Sequence, residues 1–408
     1  MLQQSVCIVA HAYLDPRGEG LEIGGVQTYV DALRAVLARH SVRVDVLQPA
    51  AIEFEKRLSA DTRVIGVRGG FGRLRRAYRR DYRGNYSLTI FATLQWAGWA
   101  AGEKSLAIQH GVSWDGFVPK HRGLTRRLYK AYKAFMFGHN RRRIAAAMDR
   151  ASEVICVDVN FPNWLRATFP FRRWDEKLTY IPNFGDPVSE EQFAVKEAFD
   201  GDDLLVLIAR RFEPYRGFPL IGEIVRDVAR RYPRCRFLFA GRGSREGELR
   251  SMLSGIDNCE IRPVPHDHMQ QTCWEADVAI VPTVFSEGTS LSCIEAMCAG
   301  TVVLVTAVGG LSNLVLDDYN GLLVEPTRTG LERGLVRLIE DKALRRKLGR
   351  RGYETACECF SRKTWERRVE QVLARHLGGQ KPPLEPNPVH RHRAPRLQPE
   401  SALAAPPY

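Results

Sequence analysis

The sequence predicts an α/β protein built from two Rossmann-like, doubly wound parallel-sheet halves. Three observations predict it. Uninterrupted apolar runs of strand length alternate with helical segments in both halves, as in sheets covered on both faces. The 408 residues fit two domains and a tail at roughly 150 residues per domain. Apolar residues make up 44% and charged residues 26%, which supplies one core per domain and excludes a collagen-like or wholly disordered chain.

The elements follow in order. Val6-Cys-Ile-Val-Ala10 reads as a first buried strand. Val26, Tyr29, Val30, Leu33, Val36 and Leu37 have helical spacing, and 42–47 alternates as a strand. Strand, glycine-rich loop, helix and strand open a doubly wound domain. The theme returns with strands over 204–209, 236–240, 278–281 and 301–306 and a helix over 218–232. The halves meet near 182–199. A last helix covers 363–376. The proline-rich, polar stretch 378–408 reads as a disordered tail.

Lysine plus arginine is 60 against 47 aspartate plus glutamate, a formal charge of +13. That excess attracts polyanions such as nucleic acid, anionic lipid or phosphorylated small molecules. The nine cysteines are scattered and form no C-x-x-C pair, so a zinc ribbon is unsupported and a reduced, cytoplasmic protein is expected. The apolar run 5–10 is too short for a secretory signal. The uncharged segment 84–102 contains Asn85 and Gln95, which favours a buried strand and loop over a membrane span.

In a doubly wound sheet, ligands bind at the carboxyl ends of the strands, which picks out five loops. Gly24-Gly25-Val26 precedes the first helix, where glycines admit a phosphate or sugar and the helix N-terminus favours an anion. A plain tight loop is the alternative. His110 follows the strand 105–108 and can donate to an oxygen atom in a crevice; a hydrogen-bonded structural histidine is the competing reading. Arg211 and Arg216, in Arg210-Arg211-Phe-Glu-Pro-Tyr-Arg216-Gly217, can clamp a diphosphate from two sides. Glu287 sits on the loop after the strand 278–281, and Gly288, Thr289 and Ser290 open a helix whose free N–H groups can hold phosphate oxygens. Leu291 and Glu295 lie on that helix. A carboxylate there can accept both hydroxyls of a ribose, and burying it is costly without a partner. Gly241, in Ala-Gly-Arg-Gly243, resembles half a dinucleotide fingerprint.

Together these segments resemble a family 4 glycosyltransferase with the GT-B fold. Two glutamates separated by seven residues, Glu287 and Glu295, followed by Ala296-Met297, are the most specific part of the likeness. Glu-Pro-Tyr-Arg-Gly (213–217) resembles the donor-phosphate loop, Ile181-Pro182-Asn183 the interdomain segment, Val308-Gly309-Gly310 and Asn320-Gly321-Leu322 the late motifs. The resemblance implies an acceptor-side domain over 1–190, a nucleotide-sugar donor domain over 191–361 and a helix over 362–377 that returns to the first. It further implies a retaining reaction in which Arg211 and Arg216 hold the donor diphosphate. Glu295 would hold the ribose, Glu287 would stand near the donor sugar, and His110 would contact that sugar. Gly24, Gly25, Gly241, Gly288, Thr289, Ser290 and Leu291 would complete the donor site. No bound metal or cofactor is implied, the nucleotide-sugar being a substrate. Arg216 stands where the family usually has lysine, Arg210 where it usually has glycine, and Gly288-Thr289-Ser290 replaces a usual Gly-Phe-Gly. Asp200-Gly201-Asp202 mimics a metal-binding D-x-D but stands at the amino edge of its strand and is rejected as a metal site. His266-Asp267-His268 precedes a helix, where Asp267 makes a good cap.

Nine lysines and arginines and no acid lie between 120 and 143, and seven arginines against Asp81 lie between 68 and 83. Arg126, Arg127, Lys130 and Lys133, interleaved with aromatics, fit anionic lipid headgroups; a solvated basic face is the alternative. A lipid-linked acceptor in cell-surface polysaccharide or glycolipid synthesis would place the enzyme in the cytoplasm, peripheral on the membrane's inner face. A nucleotide-sugar epimerase of the same fold is the near alternative. A basic nucleic-acid-binding protein is the distant one, and no nucleic-acid-binding signature is evident.

Overall fold

The structure, a computed structural model, describes residues 4–22, 24–112, 114, 124–199, 201 and 203–378. The first domain holds β1 (Ser5–Val9), β2 (Arg43–Ala50), β3 (Phe54–Arg57), β4 (Thr62–Arg68), β5 (Leu88–Phe91), β6 (Ser105–Gln109), β7 (Glu153–Cys156) and β8 (Leu178–Tyr180). The second holds β9 (Leu204–Ala209), β10 (Cys235–Ala240), β11 (Cys259–Arg262), β12 (Val278–Val281), β13 (Val302–Thr306) and β14 (Leu322–Val324). The sheet orders are β3-β4-β2-β1-β5-β6-β7-β8 and β11-β10-β9-β12-β13-β14. Each neighbouring pair is parallel except β3 with β4. Both sheets are doubly wound, as the sequence predicts.

The apolar runs fold this way because both faces of each sheet are covered. Every residue of β1 is buried. The helix Gly25–Arg39 buries Tyr29, Val30, Leu33, Val36 and Leu37, the stripe its spacing predicts. Leu220–Arg231 likewise buries Ile221, Ile224, Val225 and Val228.

The final helix, Arg362–Leu377, starts where the Ser361 hydroxyl accepts from the Thr364 backbone N–H. Its Trp365, Val369, Val372 and Leu373 join the core of the first domain. Glu153 fixes its far end, accepting from Arg375 and lying 2.9 Å from His376 Nε2. Burial alone would raise the Glu153 pKa; His376, Arg375 and Thr179 reverse this and hold it at about 2. The two chain crossings between domains run side by side. Gly185 pairs with Ser361, and Arg362 makes two 2.7 Å bonds to Asp186 while lying 4.6 Å over the Phe184 ring.

Two features, the edge strand β3 and the Asp267 cap, differ from expectation, while segment 84–102 and the cysteines agree with it. The edge strand β3, Phe-Glu-Lys-Arg, was not foreseen. It has one apolar residue and earns its place by antiparallel pairing with β4. Segment 84–102 holds β5 and a 3₁₀ turn, Leu94–Trp99. Among the described residues no helix is long and apolar enough to cross a membrane. Asp267 is not a cap: the turn His266–His268 begins after Pro265, with no side-chain cap bond there. All nine cysteines are free. Asp200, Asp202 and the tail from 379 onward lie outside the described residues. So do the side chains of Arg126, Arg127, Lys130 and Lys133, although their backbone belongs to the helix Leu124–Arg150.

Candidate active site

A cleft of about 1540 Å³ lies between the domains, at the carboxyl ends of β1, β6, β9 and β12. Gly24, Gly25, His110, Arg211, Arg216, Glu287, Gly288, Thr289, Ser290, Leu291 and Glu295 all line it. Gly241 does not. A Cβ there would stand 2.1 Å from the Arg210 carbonyl oxygen, so this glycine serves close packing of β10 against the β9 loop rather than a ligand.

The centre of the site is an ion-pair cluster built from three loops. Arg210, at the end of β9, and Arg216, in the turn Pro214–Arg216, both donate to Glu287 Oε2. Thr283 Oγ1 donates to the same oxygen at 2.8 Å. The side chains of Arg210 and Glu287 are only 6% and 8% exposed, so neither charge is solvated enough to stand alone. Burial pushes the Glu287 carboxyl up, and the two guanidinium groups more than reverse it, holding it below the usual carboxylate range. Arg210 is anchored further at Ser290 Oγ (2.7 Å), Ser292 Oγ (2.9 Å) and Thr283 Oγ1 (2.9 Å). Arg216 also lies 5.1 Å over the Tyr215 ring.

The other charged groups are poised differently. Arg211 is exposed and makes no ion pair among the described residues; its Nη2 comes near Gly24 across the cleft. Glu295, on the helix Leu291–Cys298, faces the cleft with no side-chain hydrogen bond among the described residues. Burial holds its carboxyl above the usual range, with His266 opposing and Asp186 adding. His110 is pushed down to about 4 by burial, against a ring hydrogen bond to the Ala92 carbonyl, and is neutral at pH 7. Its Nε2 is buried without a partner among the described residues.

Backbone packing holds the Glu287 loop in place. Gly309 has φ +56°, and a Cβ there would lie 2.3 Å from the Glu287 carbonyl oxygen. Gly310 N–H donates to that oxygen at 2.9 Å. Thr289 ties this loop to the first domain. Its hydroxyl accepts from Asn183 N–H (2.9 Å) and donates to the Val157 carbonyl (3.1 Å), and its carbonyl accepts from Asn183 Nδ2 (2.6 Å). With 2% exposure, Thr289 acts in this structure as a clasp between domains.

Sequence reasoning missed His11, Glu22, Tyr215, Arg245 and His266 as cleft residues. His11 and His266 follow the carboxyl ends of β1 and β11, so the strand-end rule could have found both. Burial lowers the His11 pKa, and Glu22 opposes. Among the described residues no three or more His, Cys, Asp or Glu side chains are grouped to hold a metal ion. A second cavity, about 510 Å³, lies at the opposite edge of the second sheet beside Lys196, Asp277 and Arg345. None of the expected site residues reaches it.

The family model described as "Glycosyl transferases group 1" matches residues 189–355. An uncharacterised glycosyltransferase of Methanocaldococcus jannaschii is 28% identical over 178 residues, 42% of this chain and 48% of that protein. The match thus spans about half of the relative's length. The whole fold is similar to sucrose-phosphate synthase from Thermosynechococcus elongatus, with TM-score 0.69, 20% identity, 92% of this chain and 100% of that one. It is also similar to Anabaena HepE in complex with UDP-glucose, with TM-score 0.65, 16% identity, 91% of this chain and 100% of that one. Residues 189–355 thus match the glycosyl transferases group 1 family model, and the two parallel-sheet domains form the GT-B fold.

Proposed function

We propose that this protein is a retaining glycosyltransferase that moves a sugar from a nucleotide diphosphate to a glycan or lipid-linked acceptor, without a bound metal. The observation that carries this reading is the cleft's charge layout. Arg211 and Arg216 line the cleft, and Glu295, without a hydrogen-bond partner among the described residues, lines it with the paired Glu287. The two hydroxyls of a ribose would donate hydrogen bonds to the Glu295 carboxylate. The diphosphate would lie between Arg211, Arg216 and the N–H groups that open the helix Leu291–Cys298.

The chain's residues then act on the leaving group. The bond from the anomeric carbon to the diphosphate oxygen breaks, and the acceptor oxygen bonds to that carbon from the same face. The acceptor proton passes to the departing phosphate, so configuration is retained and the charges balance. Arg211 and Arg216 stabilise the charge that grows on the diphosphate. The neutral His110, with a bare Nε2, accepts a hydrogen bond from a sugar hydroxyl.

To test this, UDP-glucose, GDP-mannose and ADP-glucose are each supplied with a bacterial membrane fraction as acceptor, and release of nucleoside diphosphate is followed with and without EDTA. Release from one donor, undiminished by EDTA and lowered at least roughly tenfold by Arg211→Ala or Glu295→Ala, is the expected result. Full activity in either variant refutes the site. Epimerised donor without acceptor points instead to the epimerase reading.

A membrane-facing first domain is part of the proposal. Arg75, Arg79 and Arg83 are exposed close to one another, and Arg79 is shifted down by slight burial and by Arg75, Arg83 and Arg150. Phe71, Tyr132 and Phe135 are exposed in the same domain, at 52%, 58% and 73%. Co-sedimentation with phosphatidylglycerol vesicles, weakened when Arg75, Arg79 and Arg83 are neutralised, is expected; equal partition of variant and wild type removes the membrane part alone.

A further inference from the structure

We propose that Arg210 is a positioning residue that keeps Glu287 ionised and oriented when a donor diphosphate draws Arg216 away, leaving Glu287 Oε1 for a donor-sugar hydroxyl. The inference rests on the donor-site reading above and extends it to a residue outside that reading. Three donors converge on one carboxylate oxygen: Arg210 Nη2, Arg216 Nη1 and Thr283 Oγ1 all reach Oε2. Among the described residues Oε1 has no hydrogen-bond partner, and Glu287 lines the cleft.

The two arginines differ in how firmly they are held. Arg210 has three hydroxyl anchors besides Glu287 and is 6% exposed. Arg216 has Glu287 and the Tyr215 ring, and is 27% exposed. A diphosphate entering the cleft competes with Glu287 for Arg216, the looser group. Were Arg216 the only countercharge, its departure would strand a buried carboxylate, which would then take up a proton. Arg210 stays behind and prevents that. The titratable and charged groups facing Glu287 are Arg210 from the β9 loop, Arg216 from the 213–217 loop and Cys293 from the helix Leu291–Cys298. Burial pushes the Cys293 thiol up to about 12, so it stays neutral. The 309–310 loop packed on Glu287 presents backbone and glycine only.

Linkage makes this measurable. In Arg210→Gln, Glu287 is ionised in the free protein and protonated in the complex, so binding takes up protons and tightens as pH falls. Titration calorimetry with UDP-glucose, GDP-mannose and ADP-glucose, in buffers of different ionisation enthalpy at pH 7, reads the uptake directly. The wild type is expected to take up no proton at Glu287. Arg210→Gln is expected to take up as much as roughly one more proton per donor bound, with affinity rising by as much as about tenfold per pH unit of acidification. Arg210→Lys keeps the charge and restores most of the wild-type behaviour. Adding Glu287→Gln to Arg210→Gln abolishes the extra uptake, which a merely structural role for Arg210 would not do. Arg210→Met serves the same test where the glutamine variant does not fold. A wild type that binds a donor, with variants that bind it without extra uptake, overturns the role of Arg210 and leaves the donor site standing. A wild type that binds none of the three overturns the donor-site reading and this inference with it.

Discussion

Glu295 and Glu287 are seven residues apart in the intervening chain and opposite in environment. Glu287 is neutralised by two guanidinium groups, whereas Glu295 carries no hydrogen-bond or ion-pair partner among the described residues and has its pKa raised by burial. A carboxylate must be ionised to accept both ribose hydroxyls. Because the raised value places protonation above the ordinary glutamate range, nucleotide affinity should begin to fall at a higher pH than an ordinary glutamate would dictate. Glu295→Gln should bind nucleotide at least roughly tenfold more weakly at pH 7 and lose this acid limb. Titration calorimetry across pH 4.5 to 7.5 checks both points, and an unchanged pH profile in the variant would rule Glu295 out. These residues were legible in the sequence because their spacing and strand-end positions are local facts. The Arg210–Glu287 pair was not, since its members are 77 residues apart and only the fold joins them. Thr289, expected as a donor contact, lines the cleft; its partners Asn183 and Val157, in the interdomain segment and the other domain, were not legible in the sequence.

At the scale of elements, the helix Arg362–Leu377 is the piece that makes two domains one object. It leaves the second domain and buries Trp365 in the first. Trp365→Ala should cost about 3–5 kcal/mol in denaturant unfolding of the first domain; a loss under about 1 kcal/mol would show that the helix is not an integral part of that core. Its far end depends on pH through Glu153. The folded pKa of about 2 lies below the ordinary glutamate value of 4.5, so this contribution is present above pH 4.5 and is lost as pH falls toward 2. Glu153→Gln should lower stability at pH 7 and flatten the melting temperature across that acid window. Equal acid slopes in variant and wild type would show that the latch contributes nothing there. The buried strands were legible because each is an apolar run fenced by polar residues. β3 was not, because an edge strand needs only one covered face and its sequence is mostly charged.

At the scale of the whole molecule, the fold class was readable from alternation alone, since strands buried on both faces leave a pattern no other architecture repeats so regularly. The shape of the cleft was not, because each wall borrows residues from loops far apart in the chain. The +13 charge did not say which polyanion it serves; the cleft is lined by Arg211, Arg216 and the first residues of the helix Leu291–Cys298, a lining that suits the proposed diphosphate. The clasp through Thr289 and the crossing at Gly185 and Ser361 hold the domains around that cleft. The cleft is proposed to bind a nucleotide diphosphate through protein groups alone. A thermal-shift panel of UDP, GDP, ADP and their common sugar conjugates, in EDTA, tests it most directly. One nucleotide series is expected to raise the melting temperature, by the equivalent of about 2.7 kcal/mol at a hundredfold excess over Kd, and Arg211→Ala to reduce the shift sharply. No stabilisation by any nucleotide, or a shift that survives intact in Arg211→Ala, would contradict it.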